Sequence, residues 1–329
     1  NATVHFPIWH QEIEDILVLK NNKGTEDNRV RRMDYSIQMS KLFYERFINE
    51  EDITLFSPHA VPGLYEAFGT DKFDALYKKY EKDKNIPKKT IAAQELFADL
   101  LKERAETGRI YIMNIDHSNS HSSFKDKVSM SNLCQEITLP TTPIKGIDDP
   151  DGEIALCILS AINVGAIGNL NELETLCDLS VRALDEIIEL QDYPVKAAEV
   201  STKSRRSLGI GYIGLAHYLA KNGVKYSDPK AWELVDRLSE AFQYYLLRAS
   251  CDIAEEKGKC SAFDRTKYAD GLLPIDHYKK EVDEIVVHKQ RMAWETLRKD
   301  ILKYGLRHST LSAQMPSESS SVVSNETNG

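Results

Sequence analysis

Polar and apolar residues alternate over 3–10 (Thr3-Val4-His5-Phe6-Pro7-Ile8-Trp9-His10), and this pattern predicts a strand running into a turn. Ile13, Ile16, Leu17, Val18 and Leu19 then fall at helical spacing, with a stop at Asn21-Asn22-Lys23-Gly24. Residues 36–48 and 64–80 are amphipathic and rich in Tyr and Lys, so they predict two further helices. The breaks Ser57-Pro58 and Val61-Pro62-Gly63 separate them. A helix is expected from Ile91 to Glu106, closed by Gly108. Residues 109–115 read as a β-type run that delivers Asp116 and His117 into a loop rich in Ser and Asn.

Further on, Asn169-Leu170-Asn171 reads as the cap of a strong helix whose Leu173, Leu176, Cys177, Leu184, Ile187 and Ile188 share one face. That pattern ends before Pro194, and another helix spans 231–257 with Gly258 at its end. β-type runs alternating with helices, with no internal repeat, predict an α/β fold with parallel strands.

Length changes this picture little: 329 residues are many for an ordinary domain but normal for one α/β barrel. A hydrophobic share of 42% suffices for a large core. The formal charge of −9 argues against non-specific binding to DNA, which calls for a basic face. An anionic substrate must then be held by local groups. No apolar run approaches the roughly 18 residues of a membrane span, and no secretory leader pattern opens the chain. The five cysteines (134, 157, 177, 251 and 260) form no C-x-x-C, so neither a disulfide scaffold nor a zinc ribbon is expected. An intracellular, cytoplasmic setting follows. The chain starts at Asn1 and ends on the turn signal Asn328-Gly329, as an internal piece of a longer protein would. The sequons at Asn1 and Asn325 then carry little meaning.

The candidate chemistry centres on Ser131-Asn132-Leu133-Cys134-Gln135-Glu136. In an extended segment side chains alternate faces, so Asn132, Cys134 and Glu136 would point one way together. An amide can orient a hydroxyl, a carboxylate can take its proton, and a thiol can act as nucleophile or one-electron reagent. Alone, such a triplet is a weak signal, because a free cysteine is more often a small buried hydrophobe. His117 and His121 are four apart but lack a carboxylate in their pattern, and no metal site is expected there. Cys177 reads as core packing, and Cys251 and Cys260 carry no partner residues. Gly209-Ile210-Gly211-Tyr212-Ile213-Gly214 matches the dinucleotide fingerprint, but the polar, basic run 201–206 precedes it where an apolar strand is needed. Small residues for close helix packing are the better reading. The Ser-rich stretch 311–329 is either a solvated tail or a phosphate cradle built from hydroxyls and backbone N–H groups.

Three motifs in order connect these observations: Ser131-Asn132-Leu133-Cys134-x-Glu136 with Leu139-Pro140-Thr141, then Gly152-Glu153-Ile154-Ala155-Leu156-Cys157-x-Leu159-Ser160, then Met315-Pro316-Ser317-Glu318-x-Ser320. Together they closely resemble the large, catalytic subunit of class I ribonucleotide reductase, and matching stretches cover the whole chain. The resemblance implies a ten-stranded α/β barrel, incomplete in this chain, with a central finger loop. Residues 1–329 would form a partial catalytic barrel domain without the N-terminal ATP cone, the early barrel or the C-terminal tail. The implied activity is reduction of ribonucleoside diphosphates to 2′-deoxyribonucleoside diphosphates by thiyl-radical chemistry.

By the same resemblance Cys134 is the radical cysteine, Glu136 takes the 3′-hydroxyl proton, and Asn132 orients the ribose. Cys157 is one of the redox pair, and no candidate for its partner is found in this chain. Ser131, Asn132 and Glu136 would bind substrate, and Pro316, Ser317, Glu318, Ser319 and Ser320 would cradle its phosphates, Ser319 keeping the hydroxyl of a position often held by threonine. Arg109 and Tyr111 match positions near the radical's entry. No cofactor would bind this chain directly. A metal-containing small subunit would supply the radical, thioredoxin or glutaredoxin the dithiol, and ATP or deoxynucleotides the effector control. The implied partners also include the missing segments of the large subunit and a second large subunit in a homodimer. This chain alone is expected not to turn over. Two other readings compete: a class II relative using adenosylcobalamin, which shares the Asn-Leu-Cys-x-Glu motif, and an inactive fragment that only binds a nucleotide or partner. Ile8-Trp9-His10 and Gln191-Asp192-Tyr193-Pro194 favour class I.

Overall fold

A computed structural model describes residues 2–23, 25–286 and 289–328, so Asn1, Gly24 and Gly329, used above, lie outside the described residues. The chain divides into two compact units: one runs through Ser122 and includes Lys127–Thr138, the other comprises Ser123–Asp126 and Leu139–Gly329.

In the first unit β1 (Thr3–Pro7), β2 (Asp34–Met39) and β5 (Ile110–Asn114) form a parallel sheet in the order β1-β2-β5. Around it lie α1 (Ile13–Leu17), α2 (Lys41–Ile48), α3 (Leu64–Ala67), α4 (Phe73–Lys82), α5 (Ala93–Thr107) and α6 (Ile115–Ser120). β3 (Asp52–Phe56) pairs antiparallel with β4 (Lys88–Ala92). β2 explains the sheet. Its sequence Asp34-Tyr35-Ser36-Ile37-Gln38-Met39 alternates strictly, so Tyr35, Ile37 and Met39 form one apolar, fully buried face. The Tyr35 hydroxyl donates to the Leu17 carbonyl behind it at 2.7 Å. The opposite face carries Asp34, Ser36 and Gln38, with His5 and Tyr111 in register with Ser36 on either side. Ser36 and Gln38 are polar yet 0% and 1% exposed. Buried polar groups need partners, and Gln38 finds its partner in the cover over this face, while the Ser36 hydroxyl has none among the described residues.

Four sequence expectations are corrected here. Residues 36–48 are not one helix: the strand runs to Met39, Ser40 caps α2 by accepting from the Phe43 amide at 3.3 Å, and only then does the helix start. Residues 64–80 are two helices split at Gly69, whose φ of +81° suits glycine alone. A Cβ there would come within 2.6 Å of Ile115 Cγ1. The expected helix from Ile91 begins at Ala93, because Ile91 and Ala92 belong to β4. Its stop at Gly108, with φ +64°, is as expected. Asp116 and His117 lie on α6 and not in a loop.

In the second unit β6 (Leu159–Asn163) and β7 (Gly209–Ile213) pair in parallel. The helices are α7 (Glu172–Leu190), α8 (Lys196–Arg205), α9 (Leu215–Lys221), α10 (Pro229–Lys257), α11 (Pro274–His277), α12 (Trp294–Tyr304) and α13 (Glu318–Val323). α7 and α10 pack along one another through Leu173, Cys177, Val181, Leu184 and Ile188 on one side and Leu238, Phe242 and Leu246 on the other. Ile187, expected on the core face, is 44% exposed. Asn171 makes no side-chain cap; instead Glu172 Oε1 accepts from the Gly168 and Asn169 amides at 3.0 and 3.1 Å. Gly209 and Gly211 of the 209–214 fingerprint serve strand pairing, not the expected helix packing, while Gly214, at φ +79°, caps the start of α9. A Cβ on Gly211 would meet the Ala313 carbonyl at 2.4 Å, and one on Gly209, also on β7, would meet Leu159 Cδ2 at 2.6 Å. Among the described residues the strands thus form three separate sheets, two of them parallel, in a mixed α/β chain.

Candidate active site

The cover over the polar sheet face of the first unit is the loop 127–138. At its base Lys127 Nζ donates to the Tyr65 and Glu66 carbonyls at 2.8 and 3.1 Å. Asn119 on α6 clamps Val128, accepting from its amide at 2.8 Å and donating to its carbonyl at 3.0 Å. Further along, Gln38 Nε2 donates to the Ser129 carbonyl at 2.6 Å and His5 Nε2 to that of Ser131 at 3.0 Å. Thr3 Oγ1 donates to the Leu133 carbonyl at 2.9 Å. The sheet's polar side chains therefore hold alternate carbonyls of the loop, and the loop satisfies Gln38, a side chain that water does not reach.

The tip is a turn, which corrects the extended reading of 131–136. The Gln135 amide donates to the Asn132 carbonyl at 3.3 Å, and Gln135 takes a left-handed φ of +67°. Asn132 Oδ1 accepts from the Ile137 amide at 3.0 Å, and Ser131 Oγ bonds to the Ile137 carbonyl. Ser and Asn offer the backbone such local bonds in place of a strand ladder, and here those bonds prevail over the period-two pattern. Asn132 consequently keeps only its NH₂ for other work.

The turn still gathers reactive groups. Cys134 is exposed at the tip, while Glu136 is half-buried with its Oε2 fully buried and without a hydrogen-bond partner. Burial, then the charges of Glu136 and Asp34, push the Cys134 thiol up. Tyr111, on the same sheet face, is also pushed up, first by burial and then by Cys134, Asp34 and Glu136, against Arg109. A thiol held above its ordinary range keeps its S–H at neutral pH. That makes it a poor thiolate nucleophile and leaves a hydrogen atom to give or take. An unpartnered buried carboxylate oxygen beside it is an acceptor awaiting a proton donor.

The second unit carries the other predicted residues. Cys157 is exposed, two residues before β6, and none of the five cysteines is in a disulfide. Pro316 to Ser320 lead into and open α13. Ser317 is 3% exposed and its hydroxyl donates to Asn328 Oδ1 at 3.0 Å, whereas Glu318, Ser319 and Ser320 are exposed. The first-turn amides of a helix lack intrahelical partners, so hydroxyls and N–H groups are presented together. Cys177, Cys251 and Cys260 are buried, and burial pushes the Cys177 thiol up to about 12. Among the described residues no three His, Cys, Asp or Glu side chains cluster as metal ligands. The His117 and His121 rings pack edge to face at 5.5 Å.

The family model of the ribonucleotide reductase barrel domain matches residues 1–329. The chain belongs to that family. It is 58% identical to the ribonucleoside-diphosphate reductase subunit alpha of Buchnera aphidicola subsp. Schizaphis graminum, over all of this chain and 44% of the relative. Against ribonucleoside-diphosphate reductase 1 subunit alpha of Escherichia coli (strain K12) the identity is 55%, with the same shares. Against the subunit alpha of Enterobacteria phage T4 it is 46%. The chain thus spans less than half the length of these curated relatives. Relatives of this name do not favour the adenosylcobalamin reading. Among the described residues no helix is long and apolar enough to cross a membrane.

The reading of the sequence missed the clamp: Thr3, His5, Gln38 and Asn119. The alternation at 34–39 was the available signal, since it marks a strand with one polar face.

Proposed function

We propose that this chain carries the substrate-reducing chemistry of a class I ribonucleotide reductase large subunit, converting ribonucleoside diphosphates to 2′-deoxyribonucleoside diphosphates. The observation that carries the proposal is the clamped turn with an S–H at its tip and an unpartnered carboxylate oxygen beside it. In this reading 127–138 is the finger loop at the centre of a ten-stranded α/β barrel, and residues 1–329 are part of that catalytic domain.

Cys134, as a thiyl radical, takes the 3′ hydrogen of the ribose and becomes a thiol; the carbon becomes the radical. An S–H bond is close in strength to that C–H bond, so the hydrogen can later return. Glu136 Oε2 accepts the 3′-hydroxyl proton as the 2′-hydroxyl leaves as water. The Asn132 NH₂, the half of the amide not bound to Ile137, orients the ribose hydroxyls, and Ser131 lies beside it at the neck of the turn. Cys157 with a second thiol gives two electrons and two protons at the 2′ position and ends as a disulfide. Pro316, Ser317, Glu318, Ser319 and Ser320 cradle the diphosphate through hydroxyls and backbone N–H groups. Ser317, whose hydroxyl is bonded to Asn328, acts chiefly by shaping that turn. A metal-containing small subunit supplies the oxidising equivalent and thioredoxin or glutaredoxin the reductant. Nucleotide effectors, a homodimer of large subunits and a cytoplasmic setting belong to the same reading.

The test is Cys134→Ser in the full-length protein, assayed with its radical-generating subunit and a dithiol on cytidine diphosphate. Product formation is expected to vanish while nucleotide binding persists. Unchanged turnover would exclude Cys134 chemistry and favour a binding-only role.

A further inference from the structure

We infer that His5 and Gln135 form a latch that fixes the direction of the Cys134 sulfur, making His5 a positioning residue for the chemistry at the loop tip. The inference rests on the reductase reading for its purpose but on geometry of its own for its existence. His5 Nε2 lies 3.0 Å from the Ser131 carbonyl oxygen, an atom that can only accept, so the proton of the ring sits on Nε2. Nδ1 lies 3.3 Å from Gln135 Nε2 and is left to accept from that amide. One neutral imidazole thus grips the loop on both sides of Cys134, before the turn through the backbone and after it through a side chain. Burial holds His5 below its ordinary range, which keeps the ring in this neutral form.

What the latch holds is a backbone that would otherwise relax. Gln135 sits at φ +67°, a conformation that residues with a Cβ adopt sparingly and that persists only where the surroundings fix it. The intraloop bonds at Asn132 and Ser131 close the neck of the turn but leave the Gln135 side chain untouched. Only the bond to His5 reaches that side chain among the described hydrogen bonds. With Gln135 released, the peptide between Cys134 and Gln135 can turn over, and the sulfur would no longer keep one heading.

In the full-length protein, alkylation of Cys134 by iodoacetamide is to be followed by peptide mass spectrometry, with Cys157 in the same digest as the reference. His5→Phe is expected to raise the Cys134 rate about three- to tenfold, the weight of the one net hydrogen bond that holds Gln135, and to leave Cys157 unchanged. His5→Gln, which keeps a donor for Ser131 and an acceptor for Gln135, should restore most of the wild-type rate. In turnover, His5→Phe should lower kcat with KM for the diphosphate unchanged. Nitrogen NMR of the His5 ring should show the Nε2–H tautomer. An unchanged Cys134 rate in His5→Phe, equal rises at both cysteines, or a Nδ1–H tautomer would each overturn the latch. If Cys134→Ser stays active while the alkylation results hold, the reductase reading falls and the latch stands.

Discussion

Lowering the pH should destabilise the second unit through one buried histidine. His308 is 0% exposed, Ser250 0% and Asp185 1%, and the three are linked in a row. His308 Nε2 lies 3.1 Å from Asp185 Oδ1, so it carries the proton, and Nδ1 lies 3.0 Å from the Ser250 hydroxyl, which must donate to it. The His308 amide donates in turn to Ser250 Oγ at 3.1 Å. The order resembles a hydrolase triad, but no substrate can reach a hydroxyl sealed on every side. Burial, opposed by Asp185 and assisted by Arg206 and Arg307, lowers His308 from 6.5 to about 4. An unfolded chain therefore binds a proton below pH 6.5 that the folded chain refuses until about pH 4. Stability is complete above the upper value and falls across that window, by about 3 kcal/mol at roughly 1.4 kcal/mol per unit. Asp185 adds to the loss only below its ordinary 3.8: burial opposes its charge, but His308 and Arg206 outweigh burial and depress it. Urea midpoints between pH 8 and pH 4 would measure the slope. His5 and His10 are lowered too and contribute with the same sign, so the quantity to read is the difference between wild type and His308→Gln. Identical slopes for the two proteins would refute the assignment, whatever the variant does to absolute stability.

Arg205→Met should cost about 3 kcal/mol, read as a lower urea midpoint, because it strips a buried guanidinium from two acids. Arg205 bonds Glu153 Oε2 at 2.6 Å and lies 3.0 Å from Asp126 Oδ2 as an ion pair without hydrogen-bond alignment, and Arg265 would remain as the cation paired with both. Gly211→Val should cost about 1–3 kcal/mol by overpacking against the Ala313 carbonyl. Since residue 313 leads into Pro316–Ser320, the KM for a ribonucleoside diphosphate should rise more than kcat falls; a kcat effect alone would count against the phosphate cradle.

How much of this was legible follows from where each signal comes from. The long helices α7 and α10 were readable because a full apolar stripe repeats over many turns, and the stops at Gly108 and Gly258 because glycine ends a helix at positive φ on local grounds alone. The residues of the candidate site were found through the family motifs, yet their geometry was not. Period two was read into 131–136, where Ser131 and Asn132 turn the chain back on itself, and was overlooked at 34–39, where it is strict. Both errors have one source. Alternation describes a side chain's direction only once the backbone is extended, and what holds β2 extended is its pairing with β1 and β5, strands far away in the sequence.

The pattern at 34–39 contained more than a strand. Asp34, Ser36 and Gln38 on one face cannot be packed against a helix's apolar stripe, because their donors and acceptors would be stranded. Gln38 and the adjoining His5 find their partners in backbone carbonyls, which an irregular loop offers where a helix does not, while Asp34 pairs with Lys20. The same alternation that makes β2 a strand therefore calls for a loop against it, and the loop that answers is the one with Cys134 at its tip. On this argument the polar face and the thiol are one feature: replacing Gln38 by Leu would remove the 2.6 Å bond to the Ser129 carbonyl and leave that carbonyl unsatisfied above an apolar floor.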